Sequence, residues 1–384
     1  MKKQIAMALG VAVLSTGALA SKARLQALGE DTFGSMFLED SRNVTLNPAL
    51  LNMHKDFVVL EWGTPSTTSG YNDLNANGTY DEGTDALTDQ DLAASPKAEG
   101  GLFKASGNMV YGLYFGDESN TANSLRAASM GANVVNESNN TSFYVAGDAG
   151  IQWGVKVTYH SFEDEAADQK SSASRATLGM ISGDIEAFLN VGTENKAENG
   201  AAEFEGKGSY QLGLTYGMGD LDYMLELRTI TVEDANSAEY TANYTRLGVA
   251  KTYKLNDKAT VWTSAWYKMD NSENDFAASG APGETKEAYL PVSIALEVSA
   301  KEWLTLRGSV VNEIIGTTED DNGDKATRAN STKVAAGASL LFGDLTIDGM
   351  IGNTDNNTTV TESTNNGTLR TDALMSRVSM TYKF

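Results

Sequence analysis

The sequence predicts an all-β chain: a transmembrane, antiparallel up-and-down β-barrel of about sixteen strands, with fourteen as the alternative count. Three observations predict it. From about Phe57 onward, runs of roughly ten residues alternate apolar and polar side chains. Short turns alternate with longer polar stretches, and the chain closes on an alternating strand that ends in Phe384.

The first twenty residues read as a secretory signal of the Sec type. Lys2 and Lys3 form the charged start, Ile5 to Leu14 the apolar middle, and Ala18-Leu19-Ala20 the small-x-small cleavage site. Removing them takes away two lysines and no acid, so the formal charge of −22 becomes −24. Residues 21–53 do not alternate. They are expected to form a periplasmic segment, as a plug or constriction at the barrel mouth or as a free tail, with 54–384 forming the barrel.

The strands follow from period two. Tyr210, Leu212, Leu214, Tyr216 and Met218 share one face against Gln211, Gly213, Thr215 and Gly217. The same split recurs in 151–160, 221–228 and 304–313, so one face meets something apolar and the other something polar. Seven short turns lie near 106, 149, 183, 219, 256, 300 and 343. Eight polar stretches lie at 65–98, 118–140, 163–172, 194–206, 233–238, 271–285, 317–330 and 354–372. In a sixteen-strand meander this sorts every long connection to one side, the arrangement of short periplasmic turns and long extracellular loops. Closure also pairs every backbone group in lipid and removes the free edges. Trp62, Tyr114, Trp153, Tyr253, Trp303 and Tyr382 near strand ends are candidates for interfacial girdles.

Composition excludes several classes. Outside the N-terminus no apolar run approaches the ~20 residues of a spanning helix. A charge of −22 argues against nucleic acid. The absence of cysteine removes disulfides, thiol catalysis and Cys-based zinc sites. The mean hydropathy of −0.30 is compatible with a barrel, whose apolar band uses alternate residues only. With two histidines, His54 and His160, the chain offers little for acid–base catalysis, and no enzyme activity is expected.

The last run, Leu374 to Phe384, places Val378, Met380, Tyr382 and Phe384 on one face. It resembles the C-terminal strand of Gram-negative outer-membrane barrels, which the barrel-assembly machinery reads. That resemblance implies export to the cell outer membrane, with outer-membrane lipid and lipopolysaccharide as surroundings and a homotrimer as one form of assembly. Asn47-Pro48-Ala49-Leu50 is similar to the N-terminal segment of FadL-type channels for hydrophobic substrates, which implies an N-terminal hatch in the lumen.

Alternation assigns the lumen-lining residues: Lys156, His160, Glu186, Glu226, Arg228, Arg246, Lys268, Glu297, Arg307, Glu313, Lys333, Asp348 and Arg377. Arg or Lys at the lipid midplane costs ~2–4 kcal/mol, so these side chains should face water or each other. Lys251 breaks the pattern between Val249 and Tyr253, which requires snorkelling near an interface or a register slip. The eight polar stretches hold 28 of the 51 acids but 7 of the 29 bases, predicting an anionic rim and weak cation selectivity. Asp73, Asn75, Asn77, Asp81 and Asp85 match a calcium loop in spacing, without a Glu at the twelfth position; no other cofactor is expected. The function expected is passive diffusion of small hydrophilic solutes. The alternatives are a FadL-like conduit and a sealed barrel acting through its loops.

Overall fold

The computed structural model describes residues 21–62, 71–72, 86–87, 98–117, 120–276, 283–327, 332–353 and 377–384. The signal segment 1–20 and the calcium-loop residues Asp73, Asn75, Asn77, Asp81 and Asp85 lie outside the described residues.

The barrel strands run in chain order. They are β1 (Phe57–Trp62), β2 (Ala98–Ser106), β3 (Met109–Phe115), β4 (Thr141–Asp148), β5 (Gln152–Asp164), β6 (Gln169–Ser182), β7 (Ile185–Asn199) and β8 (Ala202–Met218). There follow β9 (Leu221–Asp234), β10 (Glu239–Asn256), β11 (Ala259–Asn274), β12 (Gly283–Lys301) and β13 (Leu304–Asp320). The set ends with β14 (Lys325–Thr327 and Thr332–Phe342), β15 (Leu345–Asn353) and β16 (Val378–Lys383). Both pieces of β14 pair with β13 and count as one stave, so the seventeen strand segments form sixteen staves. Every pairing is antiparallel, and β1 closes the cylinder by pairing with β2 on one side and β16 on the other, Phe57 opposite both Phe103 and Lys383.

Alternation sets the two surfaces. Tyr210, Leu212, Leu214, Tyr216 and Met218 are all exposed on the outside of β8. On β16, Ser379 and Thr381 are buried while Tyr382 and Phe384 are exposed. No helix among the described residues is long and apolar enough to cross a membrane. The chain enters β1 and leaves β16 at the same end, where the Phe384 amide donates to the Asp56 carbonyl at 3.0 Å. That lower end also carries the short turns.

Several polar stretches differ from the expectation. Those at 163–172 and 194–206 are mostly strand, with connections of only 165–168 and 200–201, and strand also runs into 233–238 as far as Asp234 and into 317–330 as far as Asp320. As a result β5–β13 are 13 to 19 residues long, beyond the ~9–11 a bilayer needs. The extra turns of ladder stand in water, where charged residues pair across the outer surface: Lys196 with Glu205 at 3.0 Å and Lys207 with Glu233 at 3.2 Å. Polarity there marks solvent, not an end to the sheet. The stretch 118–140 holds a helix, α2 (Asn120–Met130), which packs its Leu125 and Met130 on Phe204, Ile230 and Ala242 of the inner wall.

Two aromatic and terminal assignments are also corrected. Tyr114 is not an interfacial aromatic; it points inward, buried, and its hydroxyl donates to Glu61 at 3.1 Å. Arg377 precedes the last strand, which begins at Val378. Lys251 keeps the outward register and pairs with Asp220 of the lower β8–β9 turn at 3.4 Å, the snorkelling alternative.

Candidate functional site

Residues 21–52 lie inside the barrel. Three short helices build this segment, each started by a side-chain cap. Ser21 accepts from the Arg24 amide to start α1 (Lys22–Ala27), and Asp40 accepts from the Arg42 amide to start a 3-10 turn over Ser41–Thr45. Asn47 accepts from the Ala49 amide to start a second over Pro48–Asn52, with Pro48 in the first turn, where no amide is needed. The Asn-Pro-Ala run is thus a cap, and the wall is shaped to receive it. A Cβ added at Gly154 of β5 would lie 2.3 Å from the Pro48 carbonyl carbon, and one at Gly179 of β6 would lie 2.1 Å from Asn47 Oδ1. Only glycine permits this approach.

The segment is gripped around the circumference. Val44, Leu50 and Leu51 pack with Phe57, Phe103 and Tyr144, and Leu25, Leu28 and Leu38 pack with Trp262 and Ala295. Two arginines add charge. Arg42 lies 2.9 Å from Glu61 and 3.0 Å from Glu99. Arg24 lies 2.7 Å from Asp40 and 3.0 Å from Glu297, which Arg307 also holds at 3.0 Å. Burial pushes Asp40 up to about 6 despite its contact with Arg24. For Asp117, just past β3, burial also works against the charge, but Lys156 and Arg42 outweigh it and hold the carboxyl well below the usual range.

Above this segment lies a cavity of about 380 Å³. Its floor is the 29–36 loop with Glu30 and Asp31, and its walls include Lys156, Arg175, Glu226, Arg228, Arg246 and Lys268. Burial pushes the Glu30 carboxyl up to about 7, opposed by a hydrogen bond from Ser35 and the charge of Lys268. One part of the wall is irregular. Between β11 and β12 pairing stops after Ala265–Val292 and resumes at Lys268–Tyr289, so Trp266 and Tyr267 face Leu290 and Pro291 without a ladder. Trp266 and Pro291 both line the cavity.

The thirteen residues assigned to the lumen all point inward, but they do different things. Lys156 donates to the Thr45 carbonyl at 2.9 Å and pairs with Asp117 at 3.1 Å. Glu226 pairs with Arg246 at 3.2 Å, while Arg228 and Lys268 lie over the rings of Tyr244 and Tyr289. Glu297, Arg307 and Asp348 form one network, closed by a bond from Ser339 to Asp348. Glu186 lines a small cleft with Met36 and Leu46, and Arg377 lines another with Lys22, Glu61 and Glu99. Glu313 faces Lys333 at 3.8 Å. His160 Nε2 is 2.8 Å from Ser171 Oγ, but Arg126 of α2 donates to the same hydroxyl at 2.6 Å and all three are buried. Among the described residues no cluster of His, Asp and Glu could hold a metal.

Sequence reasoning missed Arg24, Asp40, Arg42, Glu61, Glu99, Asp117 and Arg175. Glu61 and Glu99 were available as charges on the inner parity of their strands. Arg175 was available in the same way, since it shares the inward parity of Ala173 and Thr177 on β6, and the bulge beside it lies in β7. The others stand outside the strands, where alternation says nothing.

A closed cylinder of sixteen staves, apolar outside and charged within, is a transmembrane β-barrel of the outer-membrane type. No family model and no curated protein matches the sequence. Among solved structures, the chain is similar to OmpT, an outer membrane protein of Vibrio cholerae, at 14% identity over 74% of this chain and 95% of that one, with a TM-score of 0.38. It is also similar to the toluene transporter TbuX of Ralstonia pickettii at 13% identity over 96% and 99%, with a TM-score of 0.38. A third is the anion-selective porin of Comamonas acidovorans at 10% identity over 86% and 97%, with a TM-score of 0.37. Likeness at this level leaves the reading to rest on the chain's own geometry.

Proposed function

We propose that this chain is a channel of the Gram-negative outer membrane, without enzyme activity, through which small hydrophilic solutes diffuse passively. The observation that supports it is the cavity of about 380 Å³, bounded by charged side chains of the wall and floored by the N-terminal segment. A polar solute loses water there and regains hydrogen bonds from the wall. The N-terminal segment acts as the gate. Swelling of liposomes in graded sugars tests this: sugars below a size limit should pass, and passage should rise when Arg42 is replaced by Met. No swelling from either protein would contradict a channel. The acid-rich polar stretches give weak cation preference, which a reversal potential in a KCl gradient measures.

A second reading, a conduit for hydrophobic molecules, is favoured by the missing ladder at Trp266–Tyr267 and Leu290–Pro291, where the cavity meets the lipid-facing wall. It predicts uptake of an apolar probe without swelling by sugars.

A further inference from the structure

We infer that the inner wall of β9, β10 and β11 carries a binding site for the carboxylate group of a small solute, formed by Arg228, Arg246 and Lys268. This deepens the channel reading, on which it rests, by naming the class of solute.

The pairing register carries the argument. Arg246 stands directly opposite Lys268, and on its other side opposite Glu226; Arg228 stands opposite Tyr244, two residues up the same strand. Arg228, Arg246 and Lys268 thus stand on three consecutive strands of one wall, where like charges directly across a ladder repel, and Glu226 and Asp270 are the wall acids that act on Arg246 and Lys268. One carboxylate, Glu226, pairs with Arg246 at 3.2 Å. Among the described residues neither Lys268 nor Arg228 has a carboxylate at ion-pair distance; their charged ends lie 5.7 Å and 5.3 Å from the ring centres of Tyr289 and Tyr244. All three basic residues line the cavity.

The floor supplies a second observation. Glu30 and Asp31, at the tip of the N-terminal segment's loop, act electrostatically on Lys268 and Arg246 across the cavity. The protein thus offers its own carboxyls to these cations, without direct contact. A free carboxylate can approach closely, taking paired N–H bonds from the guanidinium groups and one from the ammonium. The cavity is at the size of a small-molecule site. A neutral sugar can take hydrogen bonds from this wall but brings no charge to pair with its cations.

Calorimetry on the folded full-length protein in micelles, with succinate as the probe and inorganic phosphate and sucrose as comparisons, tests the site. Succinate should bind saturably and sucrose should not. Lys268→Gln and Arg228→Gln, neither of which breaks an ion pair, should each weaken succinate about tenfold or more. Glu30→Gln with Asp31→Asn should tighten it by removing the competing carboxyls. Retained heat-modifiable mobility on gels shows that each variant is still a barrel. Absence of saturable binding, binding unchanged in both basic variants, or phosphate bound while succinate is not, overturns the carboxylate site. Sugar swelling is read separately, so a channel lacking this site and a site in a barrel that does not conduct give different results.

Discussion

Arg42 of the N-terminal segment and Glu61 of β1 are joined by a 2.9 Å ion pair buried inside the barrel. β1 is the strand into which the segment leads, so the pair ties the plug back to its own exit. Glu99 at 3.0 Å and Asp117 at 3.7 Å share the same guanidinium. Removing the arginine leaves three carboxylates near each other without the guanidinium they share, while Lys22 pairs with Glu99 and Lys156 with Asp117.

Arg42→Met should therefore cost about 3–5 kcal/mol, because a buried pair broken from one side leaves uncompensated charge. The urea midpoint of the folded barrel in micelles measures the loss. On the proposed channel reading the same change loosens the N-terminal segment, so single-channel recordings should show more frequent openings. A midpoint within error of the wild type would remove Arg42 as the anchor.

Gly154→Val tests the fit of the Asn-Pro-Ala cap. A side chain there must displace Pro48, whose carbonyl oxygen is 2.4 Å from where a Cβ would lie. Overpacking of this kind costs about 1–3 kcal/mol, enough to dislodge the segment without dissolving the barrel. The sequence contains no cysteine, so Val44→Cys gives a single thiol at a position 2% exposed. Maleimide should label it slowly in the parent and at least tenfold faster beside Gly154→Val; equal rates would mean the segment does not depend on this glycine.

The sequence made the cylinder legible because lipid and lumen impose opposite demands on alternate residues, as along Tyr210–Met218. Many charges on that alternation, Lys156 and Asp348 among them, could be assigned a direction. The height of the wall was not legible, since Thr, Glu and Lys in 283–289 look alike in a loop and in a ladder standing in water. The N-terminal segment inside the barrel was legible only as a motif. Its anchors, Arg24 and Arg42, find partners 273 and 19 residues away, and no local pattern announces such pairs. The basic cluster of the proposed carboxylate site needed the register, because Arg246 and Lys268 are neighbours only once β10 and β11 are aligned.

Leu214→Arg tests the apolar exterior. Leu214 is on the outer face of β8, 37% exposed, between Leu212 and Tyr216. An arginine in the middle of the lipid band costs about 2–4 kcal/mol. Lys251→Ala, at the lower rim where the lysine meets an exposed Asp220, should change stability by less than about 0.5 kcal/mol. Reversible unfolding from lipid vesicles compares the two. Equal effects would mean that β8 does not face hydrocarbon.

Glu30 gives the fold a pH dependence whose sign is fixed. Burial at the cavity floor raises its carboxyl from the usual 4.5 to about 7, against the hydrogen bond from Ser35 and the charge of Lys268. The folded chain thus holds this proton more tightly than the unfolded chain. The ionised group destabilises the fold above pH about 7, and that penalty fades as the pH falls toward 4.5. Glu30→Gln should accordingly stabilise the barrel at pH 8, by on the order of 2 kcal/mol, and match the wild type at pH 4. Urea midpoints of the two proteins across this range isolate the one group from all other titrations, since everything else is common to both. Parallel curves from pH 4 to 8 would place Glu30 in ordinary solvent and take away its role as the acidic cover of the basic wall.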